Sequence, residues 1–201
     1  MDLFGADPNT NVLPRDGEAF YHGGIFSLSD TERISEALEN DVSWQSDEVR
    51  MFGKVIVTGR KVAWFADSGL SYSYSGTTKQ PQEWNTVLLE IREKVQQSTG
   101  ANYNSCLLNL YHDGSEGMGW HSDDEKSILS ESSIASLSFG AERKFSFKHK
   151  QTKETVSLVL ENGSLLDMRG ETQEKWLHQL PKTKRISESR INLTFRQMVR
   201  I

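Results

Sequence analysis

The chain has 201 residues, the length of one ordinary domain, and 36% hydrophobic against 25% charged residues, which excludes a multidomain machine and predicts a fold with a core of moderate size. A net charge of −5 argues against coating nucleic acid or an anionic membrane by bulk electrostatics. That average hides a division: residues 1–140 hold 10 Lys and Arg against 21 Asp and Glu, whereas residues 141–201 hold 13 against 7, so the C-terminal third is basic. The single cysteine, Cys106, sits in the apolar run Cys106-Leu107-Leu108, so no disulfide can form within the chain and the thiol reads as a core residue of a reducing compartment. The start, Met1-Asp2-Leu3-Phe4-Gly5, has no basic region followed by an apolar one, and no window nears the roughly 18 apolar residues of a spanning helix. These features predict a soluble intracellular protein with no membrane partner, cytoplasmic, or nuclear in a eukaryote.

In chain order, residues 1–20 read as an extended arm rich in Asp, Asn, Gly and Pro. Ser29 and Glu32 have the spacing of a capping box, with Ile34 and Leu38 on one face of the helix that follows. Residues 50–76 read as a pair of hairpins, with turns marked by Gly53, Gly59, Gly69 and Gly76. A second helix follows Pro81, its stripe formed by Trp84, Leu88, Ile91 and Val95, and ends near Thr99-Gly100. Beyond residue 100 the chain predicts strands at 103–111, 134–139, 144–149, 155–160, 164–168, 175–180 and 190–198. Strands without intervening helices imply an antiparallel sandwich or barrel with two helices against one outer face, mostly β in an α+β class.

His121 and Asp123 are separated by one residue, so on an extended backbone both side chains point to the same face. With His178 folded back from a later strand they make two histidines and one carboxylate, the donor set of non-haem Fe(II) oxygenases. By spacing alone the pattern is weak, because such pairs arise by chance on surfaces. His22, His112 and His149 have no carboxylate at matching spacing and are given no metal role. In Arg190-Ile191-Asn192-Leu193-Thr194-Phe195-Arg196, alternation sets Arg190, Asn192, Thr194 and Arg196 in one inward row. Such a row needs something anionic. It is either the two carboxylates of a dicarboxylic acid or the protein's own acidic residues.

The ordered set Asn109-Leu110-Tyr111, His121-Ser122-Asp123-Asp124-Glu125, Ile134 to Gly140, His178 and Arg190 to Arg196 resembles the AlkB family of Fe(II)/2-oxoglutarate dioxygenases, and among them the duplex-DNA-repairing members. The likeness runs from about residue 50 to 200, and the R-x-N-x-T-x-R tail is its most specific part. It implies a double-stranded β-helix (jelly roll) core with an N-terminal nucleotide-recognition lid. The whole chain, 1–201, is then one dioxygenase domain, with an arm and helix over 1–49, lid hairpins over 50–80, and a helix plus catalytic core over 81–201. It implies that His121, Asp123 and His178 bind Fe(II), and that Arg190 and Arg196 receive the carboxylates of 2-oxoglutarate with Asn109, Tyr111, Asn192 and Thr194 in support. No catalytic residue beyond the metal ligands is implied.

The same resemblance implies oxidative demethylation, with O2, of bases such as N1-methyladenine and N3-methylcytosine, releasing formaldehyde and succinate. Phe52, with Gly53 and Lys54, becomes a finger that fills the gap left by a flipped base, although a phenylalanine at a turn is as readily a core residue. Arg60 becomes a phosphate contact. Tyr72, Ser73 and Tyr74 become the pocket for the alkylated base, and Trp64 or Phe65 a further wall. Asp124 and Glu125 favour a positively charged lesion. Arg143, Lys144, Lys148, Lys150 and Lys153 form a candidate backbone-binding surface. The expected partner is alkylated DNA, or RNA, and the expected state a monomer. The alternatives are an Fe(II)/2-oxoglutarate hydroxylase of RNA, protein or a small molecule, and a catalytically silent jelly-roll module that binds modified nucleic acid.

Overall fold

A computed structural model describes residues 7–51, 54–70, 72–74, 77–79 and 81–200. Its elements in chain order are β1 (Glu18–Gly24), α1 (Leu28–Asp41), β2 (Gln45–Met51), β3 (Lys54–Ala66), β4 (Tyr72–Tyr74), β5 (Thr77–Lys79), α2 (Thr86–Thr99), β6 (Ser105–Tyr111), β7 (Met118–His121), β8 (Ile134–Gly140), β9 (Arg143–His149), β10 (Thr155–Leu160), β11 (Ser164–Arg169), α3 (Thr172–Lys175), β12 (Trp176–Leu180) and β13 (Arg190–Arg196). A seven-stranded sheet in the order β1-β11-β8-β13-β6-β3-β2 faces a four-stranded sheet in the order β10-β9-β12-β7. This is the antiparallel sandwich expected from the strand spacing, and the jelly roll that the resemblance implied. No helix of the described residues is long and apolar enough to cross a membrane.

Two apolar layers hold the sandwich. Ile34 and Leu38 of α1 and Leu88, Ile91 and Val95 of α2 pack onto the outer face of the larger sheet, against Leu137, Leu165, Ile191, Leu193 and Phe195. Each such buried side chain contributes about 1.5–3 kcal/mol. Cys106 lies in this layer, and burial pushes its thiol well above the usual range. Between the sheets Tyr111, Phe145, Phe147, Leu166, Met168 and Trp176 form the second layer. The odd members of β13, Ile191, Leu193 and Phe195, thus serve the helix-side core while its even-numbered members face between the sheets.

The helix starts differ from the sequence expectation for a chemical reason. Ser27, not Ser29, caps α1: its Oγ accepts from the Asp30 amide at 3.2 Å, so the helix opens at Leu28. Asn85 caps α2, accepting the Leu88 amide at 2.8 Å, which leaves Pro81, Glu83 and Trp84 ahead of the helix. Trp84 nevertheless keeps its apolar role by stacking on Phe195 with ring centroids 6.4 Å apart. The C-terminus falls where expected, on left-handed Gly100 at φ 71°, whose amide donates to the Gln96 carbonyl.

Three further expectations are corrected. Residues 18–20, read as arm, open β1, which pairs with β11 along the edge of the larger sheet. Gly59 is no turn; it lies inside β3 at a register shift between the Ser46–Lys61 and Glu48–Val57 pairs. β7 was not expected, because only four residues long and with Gly119 inside it, it has no alternating signature of its own.

Gly140 ends β8 at φ +81° and directly opposes Arg190, and a Cβ there would meet the Ser189 carbonyl oxygen at 2.5 Å. Gly140→Ala is therefore expected to lose about 2 kcal/mol or more from left-handed strain and backbone overlap together, read as a lower urea midpoint with an unchanged m-value.

Candidate active site

Register in the smaller sheet assembles half of the site. β12 pairs with β7 so that His178 stands across from His121. The chain leaving β7 brings Asp123 beside both, and one ligand atom from each residue lies within 4.8 Å of the others. His121 Nδ1 donates to the Gly119 carbonyl oxygen at 2.8 Å, which turns Nε2 toward Asp123, 3.9 Å from one of its oxygens. Burial, reinforced by the neighbouring His121, pulls His178 down to about 3, so its ring is neutral. Burial alone would raise the carboxyl of Asp123, but the Arg196 guanidinium above all holds it at about 2, so it is ionised. The Asp123 amide donates to Gln173 Oε1 at 2.9 Å, and Phe145 stacks on His178 at 5.5 Å. Two imidazoles and a carboxylate gathered at one point are the donors an Fe(II) ion accepts.

β13 supplies the other half from the larger sheet. Its register sets Arg190 against Tyr111 and Asn192 against Asn109 on β6. Arg190 is 2% exposed and donates to Ser138 Oγ at 3.0 Å, and among the described residues no carboxylate forms an ion pair with it. Burial pulls its guanidinium down to about 10, which still leaves it charged at neutral pH. Asn192 donates to Ser136 Oγ and the Leu137 carbonyl, both at 2.9 Å, and so holds the row in place. Arg190 Nε and Asn109 Oδ1 are buried with no partner among the described residues. A buried cation and two orphaned polar atoms in one wall call for an anionic, hydrogen-bonding guest, and 2-oxoglutarate fits.

Arg196, in the same cavity wall as Arg190, also pairs with Asp123 between the sheets at 2.8 Å. That arginine thus lies against a metal ligand as well as along the row.

Both halves open on one cavity of about 200 Å³, also lined by Thr194. Of the residues expected to touch substrate, Phe52 and Gly53 lie outside the described residues. Lys54 lies on β3, and Tyr72, Ser73 and Tyr74 on β4, in backbone only, their side chains being outside the described ones. Arg60 is not at the outer surface but 8% exposed in the cavity wall, paired with Asp47 at 2.7 Å. Glu125 lines the cavity, whereas Asp124 does not and lies 3.9 Å from Lys150. Trp64 is the wall residue, with its Nε1 donating to Ser105 Oγ at 2.8 Å; Phe65 belongs to the helix-side core.

Arg143 leaves the candidate backbone-binding surface. It is 1% exposed and donates to the carbonyls of Glu116 and Pro181, both at 2.9 Å, tying the loop before β7 to the loop after β12. Lys144 remains exposed, and Lys148 lies over the Trp120 ring at 4.4 Å. His149 is buried, with Nε2 3.3 Å from Asp16 Oδ2.

Asp47, Met118 and Gln173 were missed. Only Asp47 left a signal, an acidic residue placed across a hairpin from Arg60, and it could be read only once the bulge at Gly59 was known.

The sequence profile of the 2OG-Fe(II) oxygenase superfamily matches residues 19–196. The chain is 38% identical over 203 residues to DNA oxidative demethylase ALKBH2 of Mus musculus, covering 96% of this chain and 85% of that protein. It is 38% identical over 216 residues to the Alpha-ketoglutarate-dependent dioxygenase alkB homolog 3 of Rattus norvegicus, covering 95% and 72%. The solved structure of OsALKBH1 shares the fold at a TM-score of 0.61 and 16% identity, over 92% of this chain and 98% of that one. A family match over residues 19–196, together with relatives 38% identical over nearly the whole chain, shows that this protein belongs to the AlkB family of Fe(II)/2-oxoglutarate dioxygenases.

Proposed function

We propose that the protein is a DNA oxidative demethylase that removes methyl groups from the ring nitrogens of alkylated bases, of the N1-methyladenine and N3-methylcytosine type, consuming 2-oxoglutarate and O2 and releasing succinate and formaldehyde. The observation that carries this reading is the His121–Asp123–His178 cluster facing the uncompensated Arg190 across one cavity. The named activity of the ALKBH2 relatives supports it.

Fe(II), when bound, couples decarboxylation of 2-oxoglutarate by O2 to hydroxylation of the methyl group. His121, Asp123 and His178 would hold it, in the cavity that co-substrate and methylated base share. Arg190 receives the far carboxylate of 2-oxoglutarate through charge-assisted hydrogen bonds, with Tyr111, Asn109, Asn192 and Thr194 setting its angle. Arg196 keeps the Asp123 carboxylate ionised and pointed at the metal. The apolar walls, Trp64, Leu107 and Phe145 among them, exclude water and hold the methyl carbon in reach of the oxidant. The resulting N-hydroxymethyl group leaves as formaldehyde and restores the base.

On the substrate side, Phe52 with Gly53 and Lys54 forms the finger that replaces a flipped base, Tyr72, Ser73 and Tyr74 line its pocket, and the Glu125 carboxylate favours the cationic ring. The lid is residues 50–80 of a single domain acting as a monomer on DNA in the cytoplasm, or in the nucleus of a eukaryote. Formaldehyde release across methylated single-stranded DNA, duplex DNA and RNA at matched salt tests the reading. Release from DNA is the expected result, and none from any methylated nucleic acid alongside steady succinate production overturns it. Phe52→Ala is expected to cost about tenfold on the duplex and less than about twofold on the single strand, since a wedge that offsets unstacking is worth a few kcal/mol only where there is a stack to break. Equal losses on both substrates would remove the finger from the account.

A further inference from the structure

One charged pair in the cavity wall has no part in holding metal or co-substrate. Arg60 Nη2 lies 2.7 Å from Asp47 Oδ2, and that carboxylate also accepts from Thr58 Oγ1 at 3.0 Å. Arg60 Nη1 donates to the Met118 thioether at 3.0 Å, three residues before His121. Both arms of the guanidinium are thus held, by the hairpin on one side and by the metal-bearing sheet on the other. Among the described residues its buried Nε has no partner. Because the side chain lines the cavity, a guest in that cavity can satisfy this donor.

The guest that Arg60 suits is neither a phosphate nor 2-oxoglutarate. A backbone phosphate needs an exposed, uncompensated cation, and Arg60 is buried and neutralised by Asp47. The dicarboxylate has Arg190, the arginine without a carboxylate partner. What remains is the base itself. N3-methylcytosine carries its methyl between a ring carbonyl and an amino carbon, whereas N1-methyladenine carries its methyl between a C–H and an amino carbon. A hydrogen-bond donor in the wall therefore tells the two apart. Both lesions are cations that a bare guanidinium would repel, and pairing with Asp47 removes that repulsion while leaving Nε–H to donate.

Resting on the demethylase reading above, we infer that Arg60, positioned by Asp47 and Met118, selects lesions whose methylated nitrogen is flanked by a ring carbonyl, donating Nε–H to that oxygen. The bases that qualify include N3-methylcytosine and, by the same chemistry, other carbonyl-flanked N-methyl bases. Asp47 is the positioning residue of the pair.

The test compares oligonucleotides bearing one N3-methylcytosine or one N1-methyladenine. Binding to the iron-free protein and initial rates of formaldehyde release with the iron-loaded one are both read as the ratio between lesions. In Arg60→Lys, which retains a cation for Asp47 but has no Nε–H, the ratio is expected to shift about five- to tenfold against N3-methylcytosine, the worth of one hydrogen bond, with N1-methyladenine handled within about twofold of wild type. Asp47→Asn is expected to shift the ratio in the same direction by less. A ratio that stays put in Arg60→Lys, in a protein whose melting temperature matches wild type, overturns the inference. Should Arg60→Lys melt early, the double variant Arg60→Met/Asp47→Leu, which leaves no buried charge behind, answers by the same ratio. Formaldehyde from neither lesion with the wild-type protein would instead overturn the demethylase reading.

Discussion

Asp123→Ala is expected to abolish succinate release and to leave the protein unable to retain iron. Two imidazoles alone do not hold Fe(II) against water, and Asp123 is the one anionic donor of the cluster. The loss in turnover should exceed about 1000-fold, well beyond the roughly 10–100-fold that changes around a metal ligand cost. Iron per chain, measured by elemental analysis after gel filtration, should fall to background. Circular dichroism separates this from unfolding, because Asp123 also pairs with Arg196 across the sandwich and its removal loosens that link. Asp123→Asn retains the shape and an oxygen while losing the charge, so it should retain the fold more fully and still fail to retain iron. Succinate production by either variant at the wild-type rate would remove Asp123 from the ligand set.

Arg190→Met is expected to raise the KM for 2-oxoglutarate by about 100-fold, and also to raise the melting temperature of the co-substrate-free protein. The first effect follows from removing a charge-assisted, buried contact worth about 3 kcal/mol. The second has the opposite sign because Arg190 sits as a buried cation with no carboxylate partner. Burial pulls its pKa well below the usual guanidinium range, to about 10. The folded state therefore disfavours the charged form, and at neutral pH the cost is on the order of 3 kcal/mol. That cost is present in full below pH 10 and fades as pH rises from 10 toward the value of a free guanidinium. A thioether of similar length has no such cost, so the variant should melt several degrees higher without 2-oxoglutarate. Saturating 2-oxoglutarate should raise the wild-type melting temperature and leave the variant almost unmoved. A variant that melts lower than wild type and still responds to 2-oxoglutarate would show that Arg190 is a structural residue.

The site was legible to different depths. The R-x-N-x-T-x-R row was readable because a strand alternates, and an inward row of polar groups is a chemical demand visible in one dimension. What answers that demand was not readable. The two arginines look alike six positions apart, yet Arg196 meets Asp123 and Arg190 meets none of the described carboxylates. The difference arises because β7 and β12 bring Asp123 to one end of the row and not to the other. Arg60 is the same lesson in a different place. Beside Lys61 in the sequence it reads as a surface cation, and a bulge at Gly59 turns it into the wall opposite Met118. Arg143 reads as surface charge within a basic segment, and four loop carbonyls take it inside.

The opening charge balance gains a meaning from these positions. The overall −5 argued against a nucleic-acid partner. Asp47 with Arg60 and Asp123 with Arg196 cancel inside the cavity wall and leave that balance unchanged. What weakens the inference is the division along the chain, −11 over residues 1–140 (10 − 21) and +6 over residues 141–201 (13 − 7), since a net charge says little about any one face.

By itself the sequence determined an antiparallel sandwich or barrel, the seven later strands and the two helices on one face, which follow from period and spacing, properties of neighbours along the chain. The jelly-roll class and the metal and co-substrate roles came from the resemblance its ordered motifs carry. Only the tertiary structure decided which charges pair, which walls line the cavity, and where Arg60 and Arg143 lie. Those depend on strand register and bulges, where a shift of one residue turns a side chain to the opposite face, and no local pattern records which register the whole sandwich selects.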